Sequence, residues 1–464
     1  MKLGFGGILL MALLLILAAG PAAGANTPSM QADEPTGGQW STILSGDSVT
    51  LDPPPTQGSK LAASEIEELR ELQAKRTPEI IKTIEHWDGG SVVGWNEIAR
   101  DLVIKHKTDP PMASRAYALL SVAQYDALVA AWKNKYKYGR ISPAEADLDI
   151  YPFVSATKDP VYPSEHAVVA SASAEVLKYL YPDEASYLDG KAKEDEESRL
   201  WAGTNYRSDL TAGRDLGKAV AGKVISRAMS DRSDLKGSLT MPTGPGYWTG
   251  TNPTRPLWGK VTPWLMGNAS QFRPVPPPAY GSAEYEKALS EVRSISDHRT
   301  PDQVRIAQKW ADGAGTSTPP GHWNQIASQM IGRYHLNELR SARALALMNM
   351  AMMDAGICCW DTKYHYCLCR PWQADPKITT TVAKPNFPSY TSGHSDFSAA
   401  ASEVLGYIFP REKDTLNSMA EEAGISRLYG GIHYRFDIEQ GAEDGRRIGQ
   451  LAIQRGMEDG SPQQ

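Results

Sequence analysis

The pattern of apolar and polar positions predicts a helical protein. Apolar residues recur at the i, i+3, i+4 spacing of a helix along most of the chain, whereas the alternation typical of a strand is sparse. Two stretches, 115–132 and 338–354, are apolar on nearly every face and contain no Gly or Pro, so we expect both to be buried helices. The predicted fold class is therefore all-α.

Further helices are predicted around these two stretches. They cover 61–76, 79–87, 166–181, 184–201, 209–229, 282–294, 301–312, 394–408, 412–424 and 438–457, and one more begins at Pro319. The segment from Asp231 to about Gly281 breaks the pattern, because it is rich in Pro, Gly and Trp. Its tryptophans favour burial, so we expect a crossover that packs between two halves of the molecule.

Residues of the first half recur in the second at a constant separation of 228 positions. The matched pairs include Arg115 and Arg343, Lys135 and Lys363, His166 and His394, Arg199 and Arg427, and Asp209 and Asp437. An ungapped match that continues across loops argues for an internal duplication, and against chance similarity between Ala-rich helices. We therefore expect two related helical bundles.

The two copies differ where the chemistry would be. In the first copy Ser142 stands opposite Arg370, Glu165 opposite Gly393 and Asn205 opposite His433. We expect the first copy to keep the scaffold and to lack the chemistry. The chain should then divide into a signal peptide, a flexible tail, an N-terminal bundle, the crossover and a C-terminal bundle, at 1–25, 26–59, 60–231, 232–281 and 282–460.

The N-terminus has the features of a secretory signal peptide. Lys2 precedes an apolar run at 8–19, and Ala23-Gly24-Ala25 is suited to cleavage. The alternative is an anchor helix, but the run is short for a membrane span. We therefore predict a secreted or periplasmic protein, and no later segment is expected to cross a bilayer as an integral membrane helix.

Charge and cysteine content narrow the functional classes. The net charge is −6, with acidic and basic residues interspersed, so a nucleic-acid partner is not expected. The pattern does not indicate an oligomeric state. Four cysteines, Cys358, Cys359, Cys367 and Cys369, lie in one short window without Cys-x2-Cys spacing, which argues against zinc. One local disulfide or free buried thiols both stay open.

The chemistry of the chain is concentrated between Lys363 and Asp437. Lys363, Arg370 and Arg427 supply cationic donors, and guanidinium groups match pairs of anion oxygens. Ser392-Gly393 adds a hydroxyl and a backbone without Cβ, which an anion can approach closely. Two imidazoles, His394 and His433, can attack or move protons near neutral pH. Such a set suits a tetrahedral oxyanion.

These groups resemble the superfamily of vanadium-dependent haloperoxidases and type-2 phosphatidic acid phosphatases, in its soluble bacterial haloperoxidase-like branch. The family pattern is Lys-x6-Arg-Pro, then Pro-Ser-Gly-His, then Ser-Arg-x5-His-x3-Asp. All three blocks occur here in order and with matching internal spacing. One position departs, because Thr391 stands where the family has Pro. The resemblance implies one oxyanion pocket, in the second bundle.

The resemblance also implies roles for individual residues. His433 would be the ligand to vanadium or the nucleophile toward phosphorus, with Asp437 holding its other ring nitrogen. His394 would be the acid–base group. Charge on the equatorial oxygens would be met by Lys363, Arg370, Ser392, Gly393 and Arg427.

Structural roles stay open for some of these residues. Asp437 could be the N-cap of a helix that starts at Ile438. The first copy retains Lys135, His166 and Arg199, so their counterparts in the second copy could be structural too.

Three functions fit this sequence. The first is a vanadium-dependent haloperoxidase, in which vanadate on His433 would activate hydrogen peroxide to oxidise halide. The second is a secreted acid phosphatase that forms a phosphohistidine on the same residue and needs no cofactor. The third, a non-catalytic phosphate- or sulfate-binding protein, would not need two histidines. Small molecules are the expected partners, either peroxide and halide or a phosphate ester.

Overall fold

The fold is all-α, as the sequence predicts. The computed structural model describes residues 34–44, 49–155, 158–313 and 315–462, and the predicted signal peptide lies outside them. The helices are α1 Lys60–Ala74, α2 Pro78–Asp88, α3 Ser91–Lys105, α4 Pro110–Tyr138, α5 Pro143–Ala146, α6 Glu165–Leu180, α7 Ala185–Ala202, α8 Arg207–Ser230, α9 Ala283–His298, α10 Pro301–Lys309, α11 Thr318–Tyr334, α12 Glu338–Tyr366, α13 Pro371–Ala374, α14 Gly393–Ile408, α15 Lys413–Tyr429 and α16 Arg435–Glu458. The described ranges contain no β-strand, only one isolated bridge between Tyr247 and Leu368.

The helices of the two halves repeat the separation seen in the sequence. Helices α4, α5, α6, α7 and α8 start 228 residues before α12, α13, α14, α15 and α16. Equivalent residues also meet across the molecule, since Asn96 Nδ2 donates to Asn324 Oδ1 at 2.7 Å. Asn349 Nδ2 likewise donates to Ser121 Oγ, 228 positions earlier, at 2.9 Å. This arrangement is what a duplication predicts, and the duplication itself stays a prediction.

The two halves share one hydrophobic core and are not independent bundles. Helices α4 and α12 run through its centre, and nearly every residue between 113 and 129 and between 341 and 360 is buried. One continuous apolar cluster joins Trp132 and Leu177 of the first half to Met350 and Leu405 of the second. Burial of this apolar cluster is the main source of the protein's stability, and it holds the second-half helices in place against the first half.

The crossover packs against α12 of the second half, and its position between the halves stays a prediction. Trp248 and Trp258 are buried, and the backbone N–H of Trp248 donates to the carbonyl of Cys367 at 2.8 Å. Asp354 of α12, which is fully buried, accepts backbone N–H groups from residues 264, 265 and 266 at 2.7–2.9 Å. One carboxylate thus satisfies three donors of a segment that has no helix of its own there.

The prediction of a flexible tail at 26–59 is wrong for its described residues. Trp40 and Leu51 are buried, and the N–H groups of Ile43 and Leu44 donate to Asp126 at 2.7 and 2.9 Å. Asp126 is the first-half counterpart of Asp354, so each long central helix holds an irregular segment by the same device. Composition suggested a solvated tail because buried contacts of isolated apolar residues leave no periodic pattern.

Among the residues that the structure describes, one helix has the length and apolar composition of a membrane span. This helix is α12, although no later segment was expected to cross a bilayer. Its most apolar window is wholly buried in the protein.

The four cysteines are free thiols, and all are buried. The disulfide alternative is therefore wrong.

Replacing Asp354 by Ala should lower the free energy of unfolding by roughly 3 kcal/mol, because three buried backbone donors lose their acceptor. Urea unfolding followed by circular dichroism measures this change. Asp361→Ala is the matched control, since Asp361 pairs with Arg273 at a partly exposed site and should cost at most ~1 kcal/mol. Equal losses in the two variants would show that the crossover does not depend on Asp354.

Candidate oxyanion site

The structure gathers the predicted site residues at one end of the second half. They come from the end of α12, the start of α13, the loop into α14, the end of α15 and the turn into α16: Lys363, Arg370, Ser392, Gly393, His394, Arg427, His433 and Asp437. Their proximity is evident at His433, whose pKa is lowered well below its ordinary value by burial and then by the charges of Arg370 and Lys363.

His433 is held with one ring nitrogen toward the cations and the other toward a carboxylate. Its Nδ1 lies 2.8 Å from Asp437 Oδ2, and its Nε2 lies 2.9 Å from Arg370 Nη1. A guanidinium can only donate, so Nε2 must carry the lone pair and Nδ1 the proton. The imidazole is therefore neutral, with its nucleophilic and metal-binding atom facing the positive side chains.

Asp437 orients His433 from within α16 and is not the helix N-cap. The helix begins at Arg435 with Tyr434 as N-cap, so Asp437 is the third residue and accepts the Tyr434 N–H at 3.2 Å. The same Oδ2 accepts the Ser389 hydroxyl at 2.5 Å. Burial raises the pKa of Asp437 to about 6 despite these contacts and the nearby cations. Sequence reasoning missed Ser389, because its hydroxyl acts on the site only through the carboxylate.

Lys363 binds the loop before α14 through its ammonium group. Its Nζ donates to the carbonyls of Ser389 at 2.8 Å, Pro388 at 3.3 Å and, closest, Thr391. A lysine has three N–H donors, so all of them face loop carbonyls here. Burial lowers its pKa to about 8. In this structure Lys363 holds the loop and contributes its charge, and its direct donation to the anion stays a prediction.

Both arginines are buried and anchored by backbone carbonyls. Arg370 Nε donates to Phe387 O at 3.0 Å and Nη1 to Ile432 O at 2.7 Å. Arg427 Nη2 donates to Ala307 O at 2.7 Å. Burial lowers the pKa of each guanidinium to about 10, and both stay charged at neutral pH. Neutral carbonyls fix these side chains without cancelling their charge.

Four buried polar atoms of the site have no hydrogen-bond partner: Arg370 Nη2, Ser392 Oγ, His394 Nε2 and Asp437 Oδ1. Arg370 Nη2 and Ser392 Oγ can donate, and His394 Nε2 can donate or accept according to its tautomer. Unpaired buried polar groups are costly, and a bound ligand that pairs with them would remove that cost. A guanidinium N–H, a hydroxyl and an imidazole beside three cations fit the donor set of a tetrahedral oxyanion. Vanadate and phosphate both have that shape and charge.

His394 lies in the first turn of α14 and is partly buried. Its pKa is lowered well below the ordinary value by burial and by the charge of Arg427, against a backbone contact at Trp310 that raises it. Trp310 in turn stacks on His322, with ring centroids 4.4 Å apart. The structure thus brings His322 toward the site, which sequence reasoning had set aside. His365 is exposed on α12 and makes only an edge contact with Tyr366.

Gly393 is the first residue of α14, where backbone N–H groups have no helical partner. A Cβ built there would meet Trp360, Cys359 and Phe397 only at ordinary van der Waals distances of 3.5–3.9 Å. The protein itself therefore tolerates a side chain at this position. The need for glycine arises only from a ligand that approaches the N-terminus of the helix.

In the first half, a carboxylate of the protein itself lies at the position equivalent to the anion site. Glu165, the counterpart of Gly393, puts Oε2 3.0 Å from Lys135 Nζ. The nearby charges, Lys135 first, lower the pKa of Glu165 in spite of burial. His166 binds Asp195 through Nδ1 at 2.7 Å, and Asn205 donates to Val161 O at 3.0 Å. This cavity of about 480 Å³ supplies its own negative charge and does not call for an anion.

Comparison with known proteins agrees with this geometry. The family profile described as the PAP2 superfamily matches residues 343–454, the stretch that contains the site. This segment is a PAP2 superfamily domain. Vanadium chloroperoxidase from Curvularia inaequalis is 27% identical over 225 residues, a match that spans 38% of this chain and 37% of that protein.

Solved structures extend the likeness of the PAP2-domain protein to both halves. The crystal structure of the first bacterial vanadium-dependent iodoperoxidase has a TM-score of 0.62 and 27% sequence identity, and covers 80% of this chain and 96% of its own. An apo-type bacterial vanadium-dependent chloroperoxidase shares the fold, with a TM-score of 0.57, 12% identity and coverage of 76% and 95%. The predicted resemblance is confirmed, and the relatives are enzymes.

The neutral state of His394 predicts a pH-dependent stability. The folded protein keeps this imidazole unprotonated, whereas the unfolded chain takes up its proton below pH ~6.5, so stability falls as the pH drops through that value. We expect the parent to lose roughly 1 kcal/mol more than His394→Asn between pH 7.5 and 5.5. Urea unfolding at both pH values, without phosphate or vanadate, measures the difference. Identical pH dependence in the two proteins would show that folding does not lower the pKa of His394.

Proposed function

We propose that this PAP2-domain protein is a vanadium-dependent haloperoxidase, which oxidises halide with hydrogen peroxide. One observation carries the proposal: Arg370 Nη2, Ser392 Oγ and His394 Nε2 are buried without partners, and the pKa of the buried His433 is lowered, after burial, by the nearby charges of Arg370, Lys363, His394 and Arg427. The likeness to bacterial vanadium peroxidases over most of the chain supports it. The all-helical fold agrees with it, since the iodoperoxidase structure covers 80% of this chain.

The residues present fit vanadate. His433 would coordinate vanadium through Nε2, and the oxygens would be met by Arg370, Ser392, Arg427 and the N-terminus of α14. Bound vanadate supplies the Lewis acid on which peroxide is activated for oxygen transfer to halide. The buried positive charge neutralises the oxygens, and Asp437 keeps the His433 tautomer fixed.

The proton step falls to His394. Its Nε2 has no partner in the protein and its pKa is lowered, so at neutral pH it can accept a proton from peroxide that enters the site. Arg427, which lowers that pKa, is fixed by Ala307 O and Ser426 Oγ and stays in place as the proton moves. The histidine can then return the proton to the departing oxygen.

A second function, acid phosphatase, is favoured by one specific feature. His433 is neutral, and its Nε2 carries the lone pair that would attack a phosphate ester once the ester displaced the hydrogen bond from Arg370 Nη1. His394 would then protonate the leaving alcohol. The PAP2 domain is consistent with this chemistry too. Export from the cell, expected from the N-terminus, stays a prediction under either function.

Two parallel assays separate these functions. Protein loaded with orthovanadate is tested for peroxide-dependent bromination of a phenolic dye, and vanadate-free protein for hydrolysis of an aryl phosphate. We expect bromination only after vanadate loading, because the site then holds its cofactor. Phosphate release that vanadate blocks would favour the phosphatase instead. Tight anion binding with neither activity would contradict both enzyme functions.

His433→Ala should abolish either activity, at least about 10³-fold, because the bond to the transferred or coordinated atom is lost. Asn205→Ala changes the equivalent residue of the first half and should leave turnover within about twofold, since that cavity is neutralised by Glu165. The readout is kcat/KM for both variants under the assay that the parent passes. Full activity of His433→Ala would refute the site assignment.

A further inference from the structure

The loop before α14 carries the hydroxyl of Ser392 into the anion site, and it is fixed at nearly every residue. The Ser389 N–H donates to Leu368 O at 2.9 Å, and the Ser392 N–H donates to Asp437 O at 2.9 Å. The Tyr390 hydroxyl donates to Val275 O at 2.9 Å. A further side-chain contact of the loop lies at Thr391, where the sequence departs from the family pattern.

The Thr391 hydroxyl donates to Asp396 Oδ2 at 2.9 Å. Both residues are fully buried, and Asp396 lies in the first turn of α14. The carbonyl of Thr391 is also the closest acceptor of Lys363, and Ser392 follows directly in the chain. Thr391 therefore accepts a hydrogen bond from the Lys363 ammonium through its carbonyl and donates one to Asp396 through its hydroxyl. The next residue is Ser392, whose hydroxyl has no partner.

The first half shows that the fold does not require this hydrogen bond. Pro163 stands at the position of Thr391 and Val168 at that of Asp396. Ser164 still donates its N–H to Asp209 O there, and the helix that follows has the same length. Threonine and aspartate thus occur together in the half that has the anion site, and proline and valine together in the half that lacks it.

A buried carboxylate is costly, so its presence behind the loop needs a reason. Asp396 Oδ1 has no partner, and burial raises the pKa of Asp396 to about 7. The groups that face it are Lys363 and the Cys359 thiol from α12, and Asp444 from α16, which corresponds to Leu216 in the first half. The Thr391 hydroxyl and the Cys359 thiol are the side-chain hydrogen-bond partners of this carboxylate, and the hydroxyl is the one that joins it to the loop.

We propose that Thr391 and Asp396 are positioning residues for the oxyanion: their hydrogen bond fixes the peptide that holds Lys363 and presents Ser392. This inference rests on the proposed function, because it concerns the affinity of the same site for vanadate or phosphate. Arg370 and His433 are anchored separately, by Phe387 O and Ile432 O and by Asp437. Without the tether, the loop donors and the arginine donors would no longer converge on one ligand.

Binding is measured directly, by titrating each purified variant with orthovanadate and with inorganic phosphate in a calorimeter. Thr391→Val keeps the shape and removes the hydroxyl, and it should weaken both anions roughly tenfold. Thr391→Ser restores the donor and should bind within about threefold of the parent. At saturating vanadate the turnover number of Thr391→Val should match the parent within about threefold, because positioning is recovered once the ligand is bound.

Aspartate variants separate the hydrogen bond from the charge. Asp396→Asn keeps an acceptor for the Thr391 hydroxyl and should stay within about threefold in anion affinity, whereas Asp396→Val, the first-half residue, should lose roughly tenfold. Thr204→Val is the control, since Thr204 donates to Arg199 O in the first half and its loss should leave affinity unchanged. Melting temperatures show which variants are folded.

The outcomes distinguish a failure of the positioning role from a failure of the proposed function. Equal affinity of Thr391→Val and parent overturns the positioning role, as does failure of Thr391→Ser or Asp396→Asn to retain binding when folded. If the parent itself binds neither anion, the proposed function fails and the inference falls with it. Weaker binding in Thr391→Val and Asp396→Val, with affinity retained in the serine and asparagine variants, supports the inference.

Discussion

The site depends on positive charge that is buried without an equal amount of negative charge. Lys363, Arg370 and Arg427 are at most 1% exposed, and burial lowers the pKa of each. Removing a cation from water costs several kcal/mol, which carbonyl dipoles recover only in part. A bound oxyanion of two or three negative charges would offset this cost. A bound anion would in this sense be a structural component of the second half.

The first half has the same helical scaffold, but it supplies its own negative charge and needs no bound anion. A single change, Glu165 at the position of Gly393, puts a carboxylate beside the equivalent lysine. The arginine is replaced by Ser142 and the histidine by Asn205, so charge and nucleophile are absent together. Two chemically different sites therefore rest on one shared core, in which α4 and α12 hold the halves in a fixed relation.

The helices and the site residues could be predicted from sequence because both leave regular signals. Apolar spacing located most helices, and motif spacing with the 228-residue separation located the chemistry. Helix α3 was missed, although Trp95, Ile98 and Leu102 are buried at helical spacing, because Gly94 and polar residues interrupt its apolar face. The start of α16 was placed three residues late, which made Asp437 an N-cap instead of the third residue of the helix.

Contacts between side chains and irregular backbone could not be predicted in this way. Neither the donation of Lys363 to three loop carbonyls nor that of Ser389 to Asp437 has a sequence period. The packing of Trp40 and the binding of residues 43 and 44 by Asp126 likewise depend on tertiary proximity alone. Such contacts decide which donors are left for a ligand, and so they decide the function of the site.

The central claim is that one oxyanion binds in the second half, on His433 Nε2. Crystals grown with orthovanadate and measured at the vanadium absorption edge test it directly. The account predicts one strong anomalous peak within bonding distance of His433 Nε2, with Arg370 and Ser392 in contact with the oxygens. A peak beside Lys135 in the first half, or none near His433 at full vanadate loading, would contradict it.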